Sequence, residues 1–174
     1  MAGNGRRDSR PPVSPTRRAR CTASVTQNSS TACRLSPITP TWSPDVDNFT
    51  NGEISVRFQG LSGRIDQGAG ILFNLKPNGD YLTIRANCLE NNLVLWKFEK
   101  GRRSSVEWVR NTPTPTRQWH DLKVRISGAK IEGYLDGKLY LNHTWSEPIS
   151  GKIGLWSKAD SYMHFDQFAA VPGE

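Results

Sequence analysis

From Asn51 onward, short stretches of alternating apolar and polar residues are separated by turn residues roughly every ten positions, the pattern of an all-β sandwich. In Glu53–Gln59, Ile54, Val56 and Phe58 fall on one side and Ser55, Arg57 and Gln59 on the other, as in a strand with one wet face. Gly68–Asn74 is denser in apolar residues. Pro77-Asn78-Gly79-Asp80 then supplies a hairpin turn, Gly79 taking the positive φ such turns require. Tyr81–Asn87 pairs back, with Leu82, Ile84 and Ala86 on one face and Tyr81, Thr83, Arg85 and Asn87 on the other.

The rhythm continues to the end of the chain. Leu93–Glu99 follows Asn91-Asn92, and Lys100-Gly101 turns into Ser105–Val109. Gln118–Ser127 carries Trp119 at its start and alternates Leu122, Val124 and Ile126. Ser127-Gly128 leads into Lys130–Leu135, Asp136-Gly137 is the strongest turn signal, and Lys138–Asn142 returns. Gly151–Ser157 and Ser161–Val171 close the domain. No stretch combines a 3.6-residue apolar stripe with capping residues, so little helix is expected.

The 174 residues suit one domain, and composition divides them in two. Residues 1–40 hold seven arginines against Asp8, a local charge of +6 out of the total +7. The remainder, with 16 basic and 15 acidic residues, is nearly neutral. The calculated pI of about 9.6 therefore describes a tail and gives no warrant for a nucleic-acid face on the folded part. Residues 1–21 are expected to be a disordered basic tail, since Gly, Pro, Arg and Ser bury too little apolar surface to offset the entropy of ordering. Residues 22–174 are expected to form the sandwich, with Thr22–Gln27 as an early strand. Cys21, Cys33 and Cys88 are too few for a disulfide framework, and no Cys/His spacing suggests zinc. No apolar run approaches the ~20 residues of a membrane span, and residues 1–20 offer no signal-peptide core.

Several strings bear a family resemblance. Arg85-Ala86-Asn87-Cys88-Leu89-Glu90-Asn91-Asn92, Asp136-Gly137-Lys138 and Gly151-Lys152-Ile153-Gly154-Leu155-Trp156-Ser157-Lys158-Ala159-Asp160-Ser161, with Leu61-Ser62-Gly63, Asp66-Gln67 and Phe165-Asp166, resemble concanavalin-like jelly-roll domains of the laminin-G-like and 3-keto-disaccharide hydrolase-like group, relatives of family-16 glycoside hydrolases. The resemblance covers about residues 51–171. It implies a two-sheet antiparallel jelly-roll sandwich whose concave sheet binds carbohydrate, and an extracellular or periplasmic setting. The paired carboxylates of those hydrolases, written ExDxxE along one strand, are missing here, and every candidate strand carries at most one acid in its middle.

Candidate chemistry concentrates in two places. Arg85, Asn87 and Glu90 end one strand, where they would serve either sugar hydroxyls or a structural ion pair. Trp156, Lys158 and Asp160 form the second set: with Ile153 and Leu155 pointing inward, Trp156 faces the other way beside Gly154, either stacking on a sugar ring or packing as core. Trp96, Trp108 and Trp119 read as core. Asp66 and Asp166 are the carboxylates available to calcium, although no ligand-dense loop supplies the 6–8 oxygens a hard cation takes. The preferred function is a non-catalytic carbohydrate-binding domain, with no cofactor, using Arg85, Asn87, Glu90, Trp156, Lys158 and Asp160. The alternatives are a hydrolase of (3-keto-)disaccharides with Glu90 or Asp160 as acid or base, and a protein-interaction module.

Overall fold

A computed structural model of the chain describes residues 19–21, 31–33, 48–158 and 160–173. It is all-β, a jelly-roll sandwich of two antiparallel sheets. The strands are β1 (Ala19–Cys21), β2 (Thr31–Cys33), β3 (Gly52–Ser62), β4 (Gly68–Leu75), β5 (Tyr81–Asn87), β6 (Asn92–Glu99), β7 (Arg102–Arg110), β8 (Trp119–Ser127), β9 (Lys130–Leu135), β10 (Lys138–Thr144), β11 (Lys152–Ser157) and β12 (Tyr162–Pro172). The first sheet runs β1-β12-β3-β8-β9-β10 and the second β2-β11-β4-β5-β6-β7. Five strands of each come from residues 52–172, and a three-residue strand borders each at one edge.

The periodicity of the sequence fixes which side of each strand meets the core. Ile54, Val56 and Phe58 of β3 and Leu122, Val124 and Ile126 of β8 point inward from the first sheet. They meet Ile71 and Phe73 of β4, Leu82 and Ile84 of β5, Leu93 and Leu95 of β6 and Leu155 of β11. The hairpin turns follow their residues. Asp136 and Gly137 both take positive φ, 50° and 78°, as a two-residue turn with the twist of its strands demands. Asn78 Oδ1 accepts the Asp80 N–H at 3.1 Å, closing the β4–β5 turn.

Two features depart from the sequence reading, and one expectation is not reached by the structure. Ala19–Cys21, assigned to the tail, pairs with β12 as an edge strand, because β12 has β3 on one side only and its other side presents a row of backbone groups to pair. The early strand expected over Thr22–Gln27 lies outside the described residues. Strands β4 to β6 are buried on both faces rather than wet on one: Thr83, Arg85, Asn87, Asn92 and Val94 are all buried on the side turned away from the core.

Where β9 crosses β5, the sandwich has room only for glycine. A Cβ on Gly133 would lie 3.0 Å from Ile84 Cδ1 and 3.1 Å from Leu141 Cβ. Gly133→Val is therefore expected to overpack the interior and cost roughly 1–3 kcal/mol of unfolding free energy, read by urea denaturation. An unchanged midpoint would show that the two sheets can separate there freely.

Candidate functional site

The strand order places the chemistry. Because β4 lies between β11 and β5, residues far apart in sequence converge at one end of the outer face of the second sheet, the face turned away from the core. Register sets Trp156 beside Gly70 and Gly70 beside Arg85, while Asn87 pairs with Asn92 and Gly68. Gly68 supplies the space in between. A Cβ there would lie 3.1 Å from Arg85 Cδ and 3.7 Å from Trp156 Cζ3, so both long side chains lie across the glycine.

Arg85 is the centre of the cluster. Its guanidinium meets Glu90 Oε2 at 3.1 Å, Asn92 Oδ1 at 3.1 Å and Asp66 Oδ1 at 3.6 Å. Asn92 Nδ2 also donates to Glu90 Oε2, at 2.9 Å. Asp66 in turn accepts from Asn87 Nδ2 at 2.9 Å and from Lys158 Nζ at 2.5 Å. Burial pushes the Arg85 pKa down while Glu90 and Asp66 oppose that shift, and the net direction is downward. Burial alone would raise the Glu90 carboxyl; the Asn92 amide and the charges of Arg85 and Lys158 outweigh it and hold Glu90 below the ordinary carboxylate value.

Asp160 does different work. The backbone N–H groups of Arg64, Ile65 and Asp66 all donate to its carboxylate, at 2.9–3.0 Å. These three donors form a concave anion seat that lowers its pKa to about 2. Asp160 thereby fastens the β11–β12 turn to the loop that carries Asp66, and Ser161 Oγ adds a bond from Gly68 N–H at 3.0 Å.

The sequence-nominated residues thus meet, with unequal roles. Arg85 and Asn87 are buried; Asn87 spends its Oδ1 on the N–H groups of Leu89 and Gln67 and its Nδ2 on Asp66. Glu90 and Lys158, with side chains 43% and 36% exposed, are open to solvent, as is Asp160, whose carboxylate is spent on backbone N–H groups. Trp156 faces away from the core, as the alternation required, yet is only 1% exposed, so its ring is packed rather than presented. Asp66 and Asp166 sit apart: Asp66 belongs to this cluster, whereas Asp166 lies opposite Arg57 on β12 of the other sheet. Among the described residues no group of three His, Cys, Asp or Glu could hold a metal ion.

The core assignment of Trp108 and Trp119 is corrected, whereas Trp96 is buried as expected, though on the outer side of its sheet. With Leu93 and Leu95 pointing inward, parity turns Trp96 outward onto the Arg85 face, and the ladder brings Trp108 of β7 alongside. Trp108 is 40% exposed. Trp119 is 39% exposed on the outer face of the first sheet, beneath the Arg57 guanidinium at 5.2 Å. The signal that reveals Trp96 and Asn92 as site neighbours is the period-two count along β6, taken together with its pairing to β5.

No family model matches the chain, and no curated protein matches it in sequence. Solved structures share its architecture. It is similar to a carbohydrate-binding module from Bacillus subtilis (18% identity, 70% of this chain and 74% of that one, TM-score 0.64). It is similar also to the galectin LEC-6 of Caenorhabditis elegans (17%, 74% and 99%, 0.56) and to a Bacillus licheniformis β-glucanase (14%, 74% and 69%, 0.55). At these identities the likeness is one of fold, a jelly-roll sandwich.

Two outcomes follow from this geometry. Trp156→Ala should cost a core-sized ~3–5 kcal/mol in chemical denaturation, because the ring is enclosed despite its outward direction. Asp160→Ala should lower the melting temperature at neutral pH. A carboxyl whose folded pKa is depressed stabilises above its unfolded value of 3.8 and loses that contribution as pH falls toward about 2. The gap between wild type and variant should therefore close over that interval in a pH series of thermal melts; a gap independent of pH would mean that the seat does not act through the charge.

Proposed function

We propose that this domain is a non-catalytic carbohydrate-binding module whose site is the Arg85 end of the outer face of the second sheet. The observation that carries the reading is the fixed fan around Arg85. The guanidinium of the strand residue Arg85 is clamped by Asn92 at the start of β6, by Glu90 of the β5–β6 turn and by Asp66 of the loop before β4, with Glu90 and Lys158 open to solvent and indoles alongside. Sugar hydroxyls each donate and accept, so an ionised acceptor beside an ammonium donor matches a vicinal pair, and the ion pairs of Glu90 with Arg85 and of Lys158 with Asp66 hold that match in place before binding. An aromatic face suits the apolar side of a pyranose ring. The neighbours of similar fold support the same class: one is named as a carbohydrate-binding module and another as a galectin.

The hydrolase reading, acting on (3-keto-)disaccharides as the laminin-G-like and hydrolase-like resemblance suggests, needs a carboxyl that holds its proton near neutral pH. Glu90 and Asp160 are both held below the ordinary value, which favours binding over catalysis by that pair. A protein-interaction face would be flatter in charge than a site built around a buried guanidinium.

The test uses the full chain on a glycan array, followed by calorimetry of the strongest hit. Glu90→Gln is expected to weaken that hit by about tenfold, the scale of one lost charge-assisted pair, while leaving the far-ultraviolet spectrum unchanged. A chain that binds no glycan would sink the reading. Release of product from a glycoside, abolished by Glu90→Gln, would transfer it to the hydrolase.

A further inference from the structure

We propose that the ligand of this face is an acidic glycan, whose carboxylates or sulfates dock separately on Arg103 and Arg110, near opposite ends of β7, while a sugar ring lies on Trp108. The proposal rests on the carbohydrate reading above and adds the class of sugar.

The charges on this face do not balance. Its carboxylates are already engaged, Asp66 by Lys158 and Arg85, Glu90 by Arg85, and Asp160 by the three backbone N–H groups of its seat. Arg103 and Arg110 on β7 are exposed, and among the described residues neither forms an ion pair. Both stack on indoles instead: Arg103 lies 4.3 Å from the Trp96 ring centre and Arg110 lies 5.8 Å from that of Trp108. The indoles meet edge to face, 5.4 Å apart, so the two cations are joined by one aromatic strip. The folded part of the chain is almost neutral, so two exposed arginines without a carboxylate partner among the described residues are a property of this face and not of the whole surface.

A second observation, independent of charge counting, points the same way. Four buried side-chain polar atoms among the described residues lack a hydrogen-bond partner, and three of them are donors on this face: Arg85 Nε, Trp96 Nε1 and Trp156 Nε1. Buried donors without acceptors are uncommon and keep the surrounding potential positive. Arg85 also lies over Trp96, at 5.8 Å, placing a second guanidinium beside Arg103. Two like charges held around one indole favour an anion between or above them. A polyphosphate or nucleic acid fits less well, because Glu90 stands open at the same site and only two cations are uncompensated.

The experiment titrates the full chain by tryptophan fluorescence with four probes: an oligogalacturonate tetramer, its methyl ester, a sulfated galactan tetrasaccharide free of uronic acid and its desulfated, uncharged form. At least one acidic probe is expected to bind about tenfold or more tightly than its uncharged counterpart, and to weaken as salt rises past the screening range. Whichever pair shows this identifies carboxylate or sulfate as the anion. Arg103→Gln and Arg110→Gln, both at exposed positions, should each remove most of that preference and leave the uncharged partner's affinity unchanged, with circular dichroism confirming the fold. Equal affinity within both pairs, no binding of any probe, or equal loss of charged and uncharged forms in the variants would overturn the proposal. If neutral glycans still bind on the array, only the acidic class fails; an array without hits removes the carbohydrate reading itself.

Discussion

The arrangement around Arg85 depends on one constraint, that a guanidinium taken out of water must be met by opposite charge and hydrogen bonds. Glu90 and Asn92 meet it from the β5–β6 turn, and Asp66 meets it from the loop before β4. Asp66 is itself held by Asn87 and Lys158, and its loop is seated on Asp160. Removal of any one of these leaves a buried charge short of a partner, so the turn, the loop and the β11–β12 connection are energetically one unit although three different segments supply them.

The same constraint explains the glycines. An arginine and a tryptophan can lie flat on a sheet only where a neighbouring strand lacks side chains, and β4 provides that at Gly68 and Gly70, directly between Trp156 and Arg85 in the ladder. A Cβ on Gly70 would come within 2.9 Å of Thr83 Oγ1 and 3.0 Å of the Ile84 carbonyl. Strand β4 is thus a floor for the site and a wall of the core at once, since Ala69, Ile71 and Phe73 point the other way.

Rigid placement also separates the residues that a ligand can touch from those that hold them. Glu90, Lys158, Arg103 and Trp108 are open to solvent, while Asn87 and Asp160 spend their hydrogen bonds on the protein. Glu90 and Lys158 are each held by a buried charge behind them, and Arg103 by the indole of Trp96.

The sequence by itself determined the strands and their faces. Alternation in Glu53–Gln59, Tyr81–Asn87 and Gln118–Ser127, with Asp136-Gly137 and Asn78-Gly79 as turns, carried the β-sandwich, because side-chain period and turn chemistry are local properties of the chain. The outward direction of Arg85 and Trp156 was legible for the same reason. The tertiary structure decided what those outward residues meet. Asp160 binds backbone groups 94 to 96 positions away and Asp66 pairs with Asn87 across 21, contacts set by β4 lying between β11 and β5 rather than by spacing. It likewise decided that Trp156 is enclosed while Trp108 is open, since burial of an outward face depends on which side chains the neighbouring strands lay across it, and no single strand contains that information.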